Sequence, residues 1–313
     1  MPLLIVSVTV LILVAAASGF LYWSFRKAFY HPNAKKKTDP HRFLGREKDA
    51  FCKEPMLKLV DELENRTYES VRITSRDGLS LFGRLYLEPK SNVVEIIFHG
   101  WRGSALRDGC GGSHLARKAG HSILLVDQRA HGESDGNVIT FGIKEKYDCL
   151  DWTNYITSRF GADVKILLVG LSMGAATVLM ASSLDLPETV KGIAADCGYS
   201  SPEAIIRKVC RCDMGIPDRI GYPFVRLAAR LFGGFSMNDG GAVEAVRRAR
   251  VPILLIHGTE DDFVPVEMCR EIYDACTSEK FLLEVPRAGH GLSLFYDWDA
   301  YVNAVRAYQE KVL

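Results

Sequence analysis

The chain has 313 residues, of which 48% are hydrophobic, and that length suffices for one large domain with a substantial core. Its formal net charge is +1, so the charge balance gives no reason to expect a nucleic-acid partner. The eight cysteines include no CxxC pair, and Cys210 and Cys212 have no histidine nearby in the sequence. We therefore predict no zinc or other metal site and no cofactor.

The first predicted element is a membrane-spanning helix over residues 2–25. This segment contains no Asp, Glu, Lys or Arg and is rich in Leu, Ile, Val and Ala. As a helix it would extend about 36 Å, against roughly 30 Å of bilayer hydrocarbon. Tyr22 and Trp23 follow near its end, where amphipathic aromatic side chains favour the headgroup region. The pattern predicts a single-pass anchor.

A cleaved signal peptide is the main alternative to a retained anchor, and a buried core helix is a weaker one. Residues 3–14 resemble the apolar region of a signal peptide, and three alanines at 15–17 offer small residues for cleavage. However, no Lys or Arg precedes the apolar stretch, and apolar residues resume at Phe20. A core helix rarely lacks charges over 24 residues. We favour the anchor.

Basic residues flank the predicted span on its C-terminal side only. They are Arg26, Lys27, Lys35, Lys36, Lys37, Arg42, Arg46 and Lys48. Because cytoplasmic flanks of membrane helices are enriched in Lys and Arg, this asymmetry predicts that the C-terminal domain lies on the cytoplasmic side.

Residues 26–69 are predicted to form a juxtamembrane linker followed by a packing helix near residues 48–65. From residue 70 two segments with alternating apolar and polar residues, at 71–74 and 79–87, predict a β-hairpin. Six short apolar runs then follow, at 93–98, 122–126, 165–169, 190–195, 251–256 and 281–285. Near-continuous apolar runs separated by helix-length segments predict an α/β domain over residues 70–313, with a mostly parallel sheet and helices on both faces.

The spacing of the runs is interrupted once, over about residues 199–249. This interval is far longer than a usual crossover and contains apolar residues at helical spacing, including Phe224, Leu227 and Leu231. It is predicted to be a helical lid inserted over the C-terminal edge of the sheet. An ordinary surface excursion with its own small core is the alternative.

The strongest chemical motif is Gly170-Leu171-Ser172-Met173-Gly174, directly after a predicted strand and before a run of small residues. This arrangement is typical of the sharp strand-to-helix turn called a nucleophile elbow. Its tightness favours glycines, and it presents the serine hydroxyl at a helix N-terminus, where the helix dipole stabilises a developing anion. Ser172 is the predicted nucleophile.

A serine nucleophile needs a base, and in this fold the acid and the histidine follow the serine in that order. Only His257 and His290 follow Ser172. His257 ends a predicted strand and precedes the acidic candidates, whereas His290 lies on the loop after the last strand. His290 is therefore the predicted base. The candidate acids on the preceding loop are Glu260, Asp261 and Asp262.

A tetrahedral oxyanion needs two backbone N–H donors. Met173, which follows the nucleophile, is the first expected donor. The second is the amide of Trp101, on the loop after the strand at 93–98, where Gly100 permits a turn toward the elbow. The Trp101 side chain could either line the pocket or simply pack.

The glycine cluster at 109–112 lacks the Lys-Ser/Thr of a phosphate loop and is interpreted as a helix-entry turn.

Six ordered motifs make the resemblance to a known family plain. They are HGWRGS at 99–104, DQRAHGES at 127–134, GLSMG at 170–174, DCGY at 196–199, HGTEDDFVP at 257–265 and AGH at 288–290. From about residue 71 onward the chain resembles bacterial α/β-hydrolases of the serine aminopeptidase and dienelactone-hydrolase-like group, including membrane-anchored members. The resemblance implies Asp261 as the acid, because the family pattern is HGxxDxxVP, and a scaffolding role for 127–134.

The predicted function is hydrolysis of a carboxylic ester through Ser172, His290 and Asp261 and an acyl-enzyme intermediate. The substrate would be a small-molecule or lipid-like acyl compound. A thioesterase or a peptidase would use the same residues, so these remain alternatives. A catalytically silent membrane-bound scaffold is an alternative of another class. If the domain division is correct, removal of residues 1–27 leaves hydrolysis of a short soluble ester nearly intact.

Overall fold

A computed structural model describes residues 2–32 and 38–313, so Lys35, Lys36 and Lys37 of the basic flank lie outside the described residues. The strands are β1 Glu69–Thr74, β2 Ser80–Tyr86, β3 Val93–Phe98, β4 Ser122–Asp127, β5 Lys165–Leu171, β6 Val190–Asp196, β7 Ile253–Gly258 and β8 Lys280–Val285. The helices are α1 Pro2–Ala28, α2 Lys53–Glu64, α3 Ala105–Lys118, α4 Glu145–Phe160, α5 Met173–Ala181, α6 Pro202–Lys208, α7 Asp218–Ala228, α8 Ala242–Val246, α9 Val266–Ala275, α10 Ser293–Tyr296 and α11 Trp298–Val312.

The strands form one sheet in the order β1-β2-β4-β3-β5-β6-β7-β8. β1 pairs with β2 and β2 with β4 in antiparallel fashion, whereas the pairs from β4 to β8 are parallel. The predicted runs and hairpin therefore match the strands within a few residues. This is the α/β-hydrolase fold expected from the sequence.

Helices cover both faces of the central strands, which explains why these strands are apolar along most of their length. In β3, Ile96 packs into the core on the side of α4, α5, α8 and α9, while the adjacent Ile97 packs into the core beside α2 and α3. Leu124 and Leu125 of β4 divide between the same two cores. Because neighbouring residues of a strand point to opposite faces, burial of both favours a near-continuous apolar run.

Helix α1 is continuous from Pro2 to Ala28. The stretch Ser7–Ala28 contains an 18-residue window with a mean hydropathy of 1.9, so the helix is long and apolar enough to cross a membrane, although a signal sequence has the same properties. Its last turns pack against the hydrolase domain, with Phe25 5% exposed and Phe29, just beyond the helix, fully buried. The end of α1 is thus part of the folded domain as well as of the apolar segment.

The segment between β6 and β7 forms α6, α7 and α8, with a π-helical turn after each of α6 and α7. We call this segment, residues 199–249, the lid insertion. Its buried side chains Ile205 and Tyr222 share a hydrophobic cluster with Phe25, Phe29 and the core residue Met173. The lid insertion and the end of α1 therefore pack together above the start of α5.

The segment from residue 38 to β1 lies against the hydrolase domain. A 3₁₀ turn at Glu47–Cys52 precedes α2, which packs on α3, where the sequence predicts a packing helix. Arg46 donates a 3.0 Å hydrogen bond to Asp262, and Lys48 pairs with Glu260. These ion pairs join the segment to the loop after β7.

Candidate active site

Ser172 lies at the turn between β5 and α5, as its motif predicts. Its backbone has φ 55° and ψ −113°, a conformation that side chains other than glycine rarely adopt. Such strain persists only where the surroundings hold it, and here the Ser172 amide donates a 2.8 Å hydrogen bond to the Asp196 carbonyl oxygen. The residue is 6% exposed. The strained turn presents its hydroxyl at the N-terminus of α5.

The two glycines of the motif are required by close backbone approach. A Cβ atom at Gly170 would lie 2.3 Å from the Gly174 carbonyl oxygen, and one at Gly174 would lie 2.0 Å from the Phe98 carbonyl oxygen. Both obstacles are backbone atoms, which cannot rotate away as a flexible side chain could. The elbow therefore excludes any larger residue at either position.

The structure brings Ser172, His290 and Asp261 together in one hydrogen-bonded chain. His290 Nε2 lies 2.9 Å from Ser172 Oγ, and His290 Nδ1 lies 2.6 Å from Asp261 Oδ2. The three residues come from the loops or turns after β5, β7 and β8. Because these parallel strands end at the same edge of the sheet, residues up to 118 positions apart meet there.

Asp261, rather than its neighbours, contacts the imidazole. Its Oδ1 accepts hydrogen bonds from the amides of Phe263 at 2.9 Å and Val264 at 2.8 Å, which leaves Oδ2 for His290. Burial favours the neutral acid, but the adjacent His290 and His257 outweigh it and hold the pKa of Asp261 below its usual range. The neighbouring Asp262 side chain is 70% exposed.

His257 has a buried position at the end of β7, with its Nε2 2.8 Å from the Val264 carbonyl oxygen. It therefore supports the loop that carries Asp261.

Asp196, at the end of β6, is a buried acid that is not among the acids predicted from the sequence. Burial raises the pKa of Asp196 to about 6, and its carboxylate accepts a 3.2 Å hydrogen bond from the Tyr301 hydroxyl.

The loop after β3 lies directly beside the elbow. A Cβ atom at Gly100 would stand 3.4 Å from Ser172 Cβ, and the Gly100 amide donates a 2.9 Å hydrogen bond to Asp108. Met173 is the first residue of α5, where backbone amides have no intrahelical acceptor. Within the described part of the chain, the amides of Met173 and Trp101 donate to no protein acceptor.

The Trp101 side chain both lines a pocket and packs. It borders the cavities beside Ser172 and lies against Phe141, with ring centroids 6.3 Å apart. The segment 127–134 supports the same loop from below. His131 Nε2 accepts a 3.0 Å hydrogen bond from the Arg102 amide, and buried Arg129 pairs with Asp148. The segment thus holds the loop, and no hydrogen bond among the described residues joins it to Ser172.

Two cavities border Ser172. The larger has a volume of about 630 Å³ and is lined in part by charged residues, among them Arg46, Arg107 and Asp108, with His290 at its edge. The smaller has a volume of about 130 Å³ and is lined almost wholly by apolar side chains of α1, the lid insertion and the core. Ser172 therefore borders one cavity with a mixed lining and one with an apolar lining.

One cluster of potential metal ligands occurs beside the serine. Donor atoms of Cys197, Asp261 and His290 lie within 4.8 Å of one another. However, Asp261 and His290 use theirs in the hydrogen bond to each other. Burial raises the pKa of the Cys197 thiol well above its usual range, so the thiolate that binds metals is disfavoured. The cluster is better suited to hydrogen bonding than to holding an ion.

The chain belongs to the alpha/beta hydrolase family, whose family model matches residues 96–304. The fold and the family are therefore those that the six sequence motifs predict. The membership defines the chain as a protein of the alpha/beta hydrolase fold.

Relatives and solved structures extend this comparison. The uncharacterized protein YqkD of Bacillus subtilis is 23% identical over 199 residues, which cover 64% of this chain and 65% of that protein. Thiohydrolase aneE of Aspergillus aculeatus is 31% identical over 130 residues, 41% of each chain. The structure of Pyrococcus furiosus esterase Pf2001 superposes with a TM-score of 0.63 at 21% identity, covering 89% of this chain and 99% of that one. The superposition shows the fold alone.

Proposed function

We propose that the chain is a serine hydrolase that cleaves carboxylic esters through Ser172, His290 and Asp261. The observation that carries the proposal is the continuous hydrogen-bond chain from the Ser172 hydroxyl through the His290 imidazole to the Asp261 carboxylate. This is the arrangement that activates a serine hydroxyl, because the base accepts its proton and the acid fixes the imidazole and stabilises its charge.

The proposed reaction has two halves. Ser172 Oγ attacks the ester carbonyl carbon while His290 Nε2 takes the hydroxyl proton, and the amides of Met173 and Trp101 donate to the oxyanion. The intermediate collapses, the C–O bond to the alcohol breaks, and His290 returns the proton to the departing oxygen. Water then attacks the acyl-enzyme carbonyl carbon while His290 takes its proton. The bond to Ser172 Oγ breaks as His290 returns that proton to Oγ, so the carboxylic acid is released and the Ser172 hydroxyl is restored.

Thioesters are a second candidate substrate class. The 31% identity to a protein named as a thiohydrolase, over 130 residues, favours this class over peptides. The same residues serve both reactions, since a thiolate replaces the alkoxide as leaving group and departs more easily. The alcohol or thiol part of the substrate would occupy the larger cavity, whose lining includes charged residues.

We further propose that α1 is a retained anchor and that the hydrolase domain lies on the cytoplasmic side. Leu11, Ile12, Leu13 and Val14 are each more than half exposed on α1, and water would solvate such an apolar surface poorly. A bilayer would cover it. Arg26 and Lys27 at the end of the helix support the cytoplasmic orientation.

Purified full-length protein tests the proposed chemistry with a panel of substrates. The panel contains p-nitrophenyl esters, matched acyl thioesters and a peptide p-nitroanilide, each assayed with wild type and Ser172→Ala. We expect ester hydrolysis by the wild type and loss of about 10⁴-fold or more in the variant. Ester hydrolysis that survives in Ser172→Ala, or is undetectable in folded wild type, would contradict the proposal.

A further inference from the structure

The apolar cavity beside Ser172 is built in part by the predicted membrane helix. Of the side chains that line it, Phe20, Trp23, Ser24, Lys27 and Ala28 come from the last turns of α1. The remainder come from the lid insertion and from the core near the serine. The wall formed by α1 is therefore separate in sequence from every motif that predicts the hydrolase.

The end of α1 is also bonded to the loop that carries the proposed oxyanion donor. Trp101 Nε1 donates a 3.2 Å hydrogen bond to the Ala28 carbonyl oxygen. Arg102 Nη2 lies 2.9 Å from the Tyr30 carbonyl oxygen and also reaches two carbonyl groups of the last turn of α1. The final carbonyls of a helix lack partners within the helix, so these donors fix its end in place. The wall is thus held rigidly against the site.

We propose that the last turns of α1 form one wall of the acyl-binding pocket and so determine which acyl chains the enzyme accepts. This inference rests on the proposed ester hydrolysis. The cavity volume is about 130 Å³. A protein cavity of about 150 Å³ accommodates benzene, so this pocket accommodates an acyl chain of about six carbons. The substrate class is therefore an ester of a short to medium acyl chain.

The pocket lining is exposed at several places. Phe20 and Trp23 on α1 and Met214 on the lid insertion border the pocket and are 37%, 40% and 42% exposed, whereas Ser24 and Ile206 are buried. A chain beyond about six carbons would reach these exposed apolar side chains of α1 and the lid insertion. The pocket thus joins the serine to the part of the helix that a bilayer would surround.

Ser24 offers a direct test, because it is 4% exposed, lines the pocket and can be replaced by a larger residue. Ser24→Phe fills the cavity from the α1 side. Ser18→Phe makes the same change on the same helix at an exposed position and is the matched control. The full-length proteins are assayed in detergent micelles with p-nitrophenyl acetate and p-nitrophenyl hexanoate, and the readout is the ratio of kcat/KM for hexanoate to that for acetate.

We expect Ser24→Phe to lower this ratio by about tenfold or more, since the hexanoyl chain loses its apolar contacts, while Ser18→Phe leaves it within about twofold. If Ser24→Phe does not fold, as judged by its melting transition, Ser24→Leu provides the same comparison with a smaller loss. If wild type hydrolyses esters and the two variants give equal ratios, the proposed role of α1 is overturned and the proposed function is not. Wild type that neither hydrolyses esters nor reacts with a fluorophosphonate would overturn the proposed function and this inference with it.

Discussion

The carbonyl oxygen of Ala28 accepts a 3.2 Å hydrogen bond from Trp101 Nε1, which joins the end of α1 to the loop beside Ser172. Phe25, one turn earlier, is buried against the lid insertion, with its ring centroid 5.6 Å from that of Phe232. The apolar N-terminal helix therefore ends inside the folded domain. The division between an anchor at 2–25 and a linker at 26–69 stays a prediction, and it can be tested by truncation.

Two truncations separate the exposed part of α1 from its packed end. Removal of residues 1–17 deletes only side chains that are exposed where they are described, so we expect hydrolysis of p-nitrophenyl acetate to persist. Removal of residues 1–28 also deletes buried Phe25, whose burial contributes about 2 kcal/mol, and the acceptor for Trp101. We expect this protein to melt at a lower temperature and to lose most of its activity.

The measurements are kcat/KM and the melting temperature of both truncated proteins in the same detergent. A folded protein lacking residues 1–28 that keeps full activity would instead support the division at residue 25. It would also show that the packed end of α1 is dispensable for the reaction.

The identity of the acid can be tested at two buried aspartates. Asp261→Asn is expected to lower kcat by about 10⁴-fold. The asparagine side-chain amide donates a hydrogen bond at the place where His290 Nδ1–H should donate, so His290 takes the wrong tautomer. Asp196→Asn is expected to lower kcat far less, since the Asp196 carboxylate bonds to Tyr301 and Ser293 instead of His290. Steady-state assays of the two variants check this. The reverse order of losses would assign the acid to the end of β6.

Asp196 is also expected to make stability depend on pH. Its pKa is about 6 in the folded protein and about 3.9 in an unfolded chain, so folding favours the protonated acid. Its contribution to stability is complete below about pH 4 and is lost as the pH rises through about 6, a change of up to about 3 kcal/mol.

Asp196→Asn cannot ionise, so its free energy of unfolding should rise relative to wild type between about pH 4 and about pH 8. Denaturant titrations of both proteins at the two pH values measure the difference. A difference that stays constant with pH would mean that Asp196 ionises in the folded protein as easily as in the unfolded chain.

Much of the fold could be predicted because buried parallel strands leave near-continuous apolar runs. The elbow could be predicted equally well, since two close backbone approaches demand glycine at positions 170 and 174. The interpretation of the glycine cluster at 109–112 as a helix-entry turn is wrong. It lies inside α3, where a Cβ atom at Gly109 would stand 2.7 Å from Leu125 and one at Gly111 would stand 2.5 Å from Leu294. These glycines let α3 pack closely, which no local pattern reveals.

Some features of the site depend on tertiary contacts that residue chemistry does not indicate. Asp261 and Asp262 are adjacent and chemically alike, so only the family pattern predicts Asp261, and the loop conformation directs it to His290. Asp196 belongs to one of the six family motifs, but its raised pKa comes from burial near Asp261 and His257, which the sequence does not reveal. The composition of α1 indicates a membrane, and nothing in that composition indicates that its last turns also line a pocket.

The most direct test of the central claim is covalent labelling of the folded full-length protein with a fluorophosphonate, followed by mass spectrometry of the modified peptide. An activated serine attacks phosphorus and displaces fluoride, whereas an ordinary serine hydroxyl does not react. We expect one adduct, on Ser172, and none in Ser172→Ala or in protein unfolded beforehand. Folded wild-type protein that remains unlabelled, or an adduct on another residue, would contradict the assignment of Ser172, His290 and Asp261 as a catalytic unit.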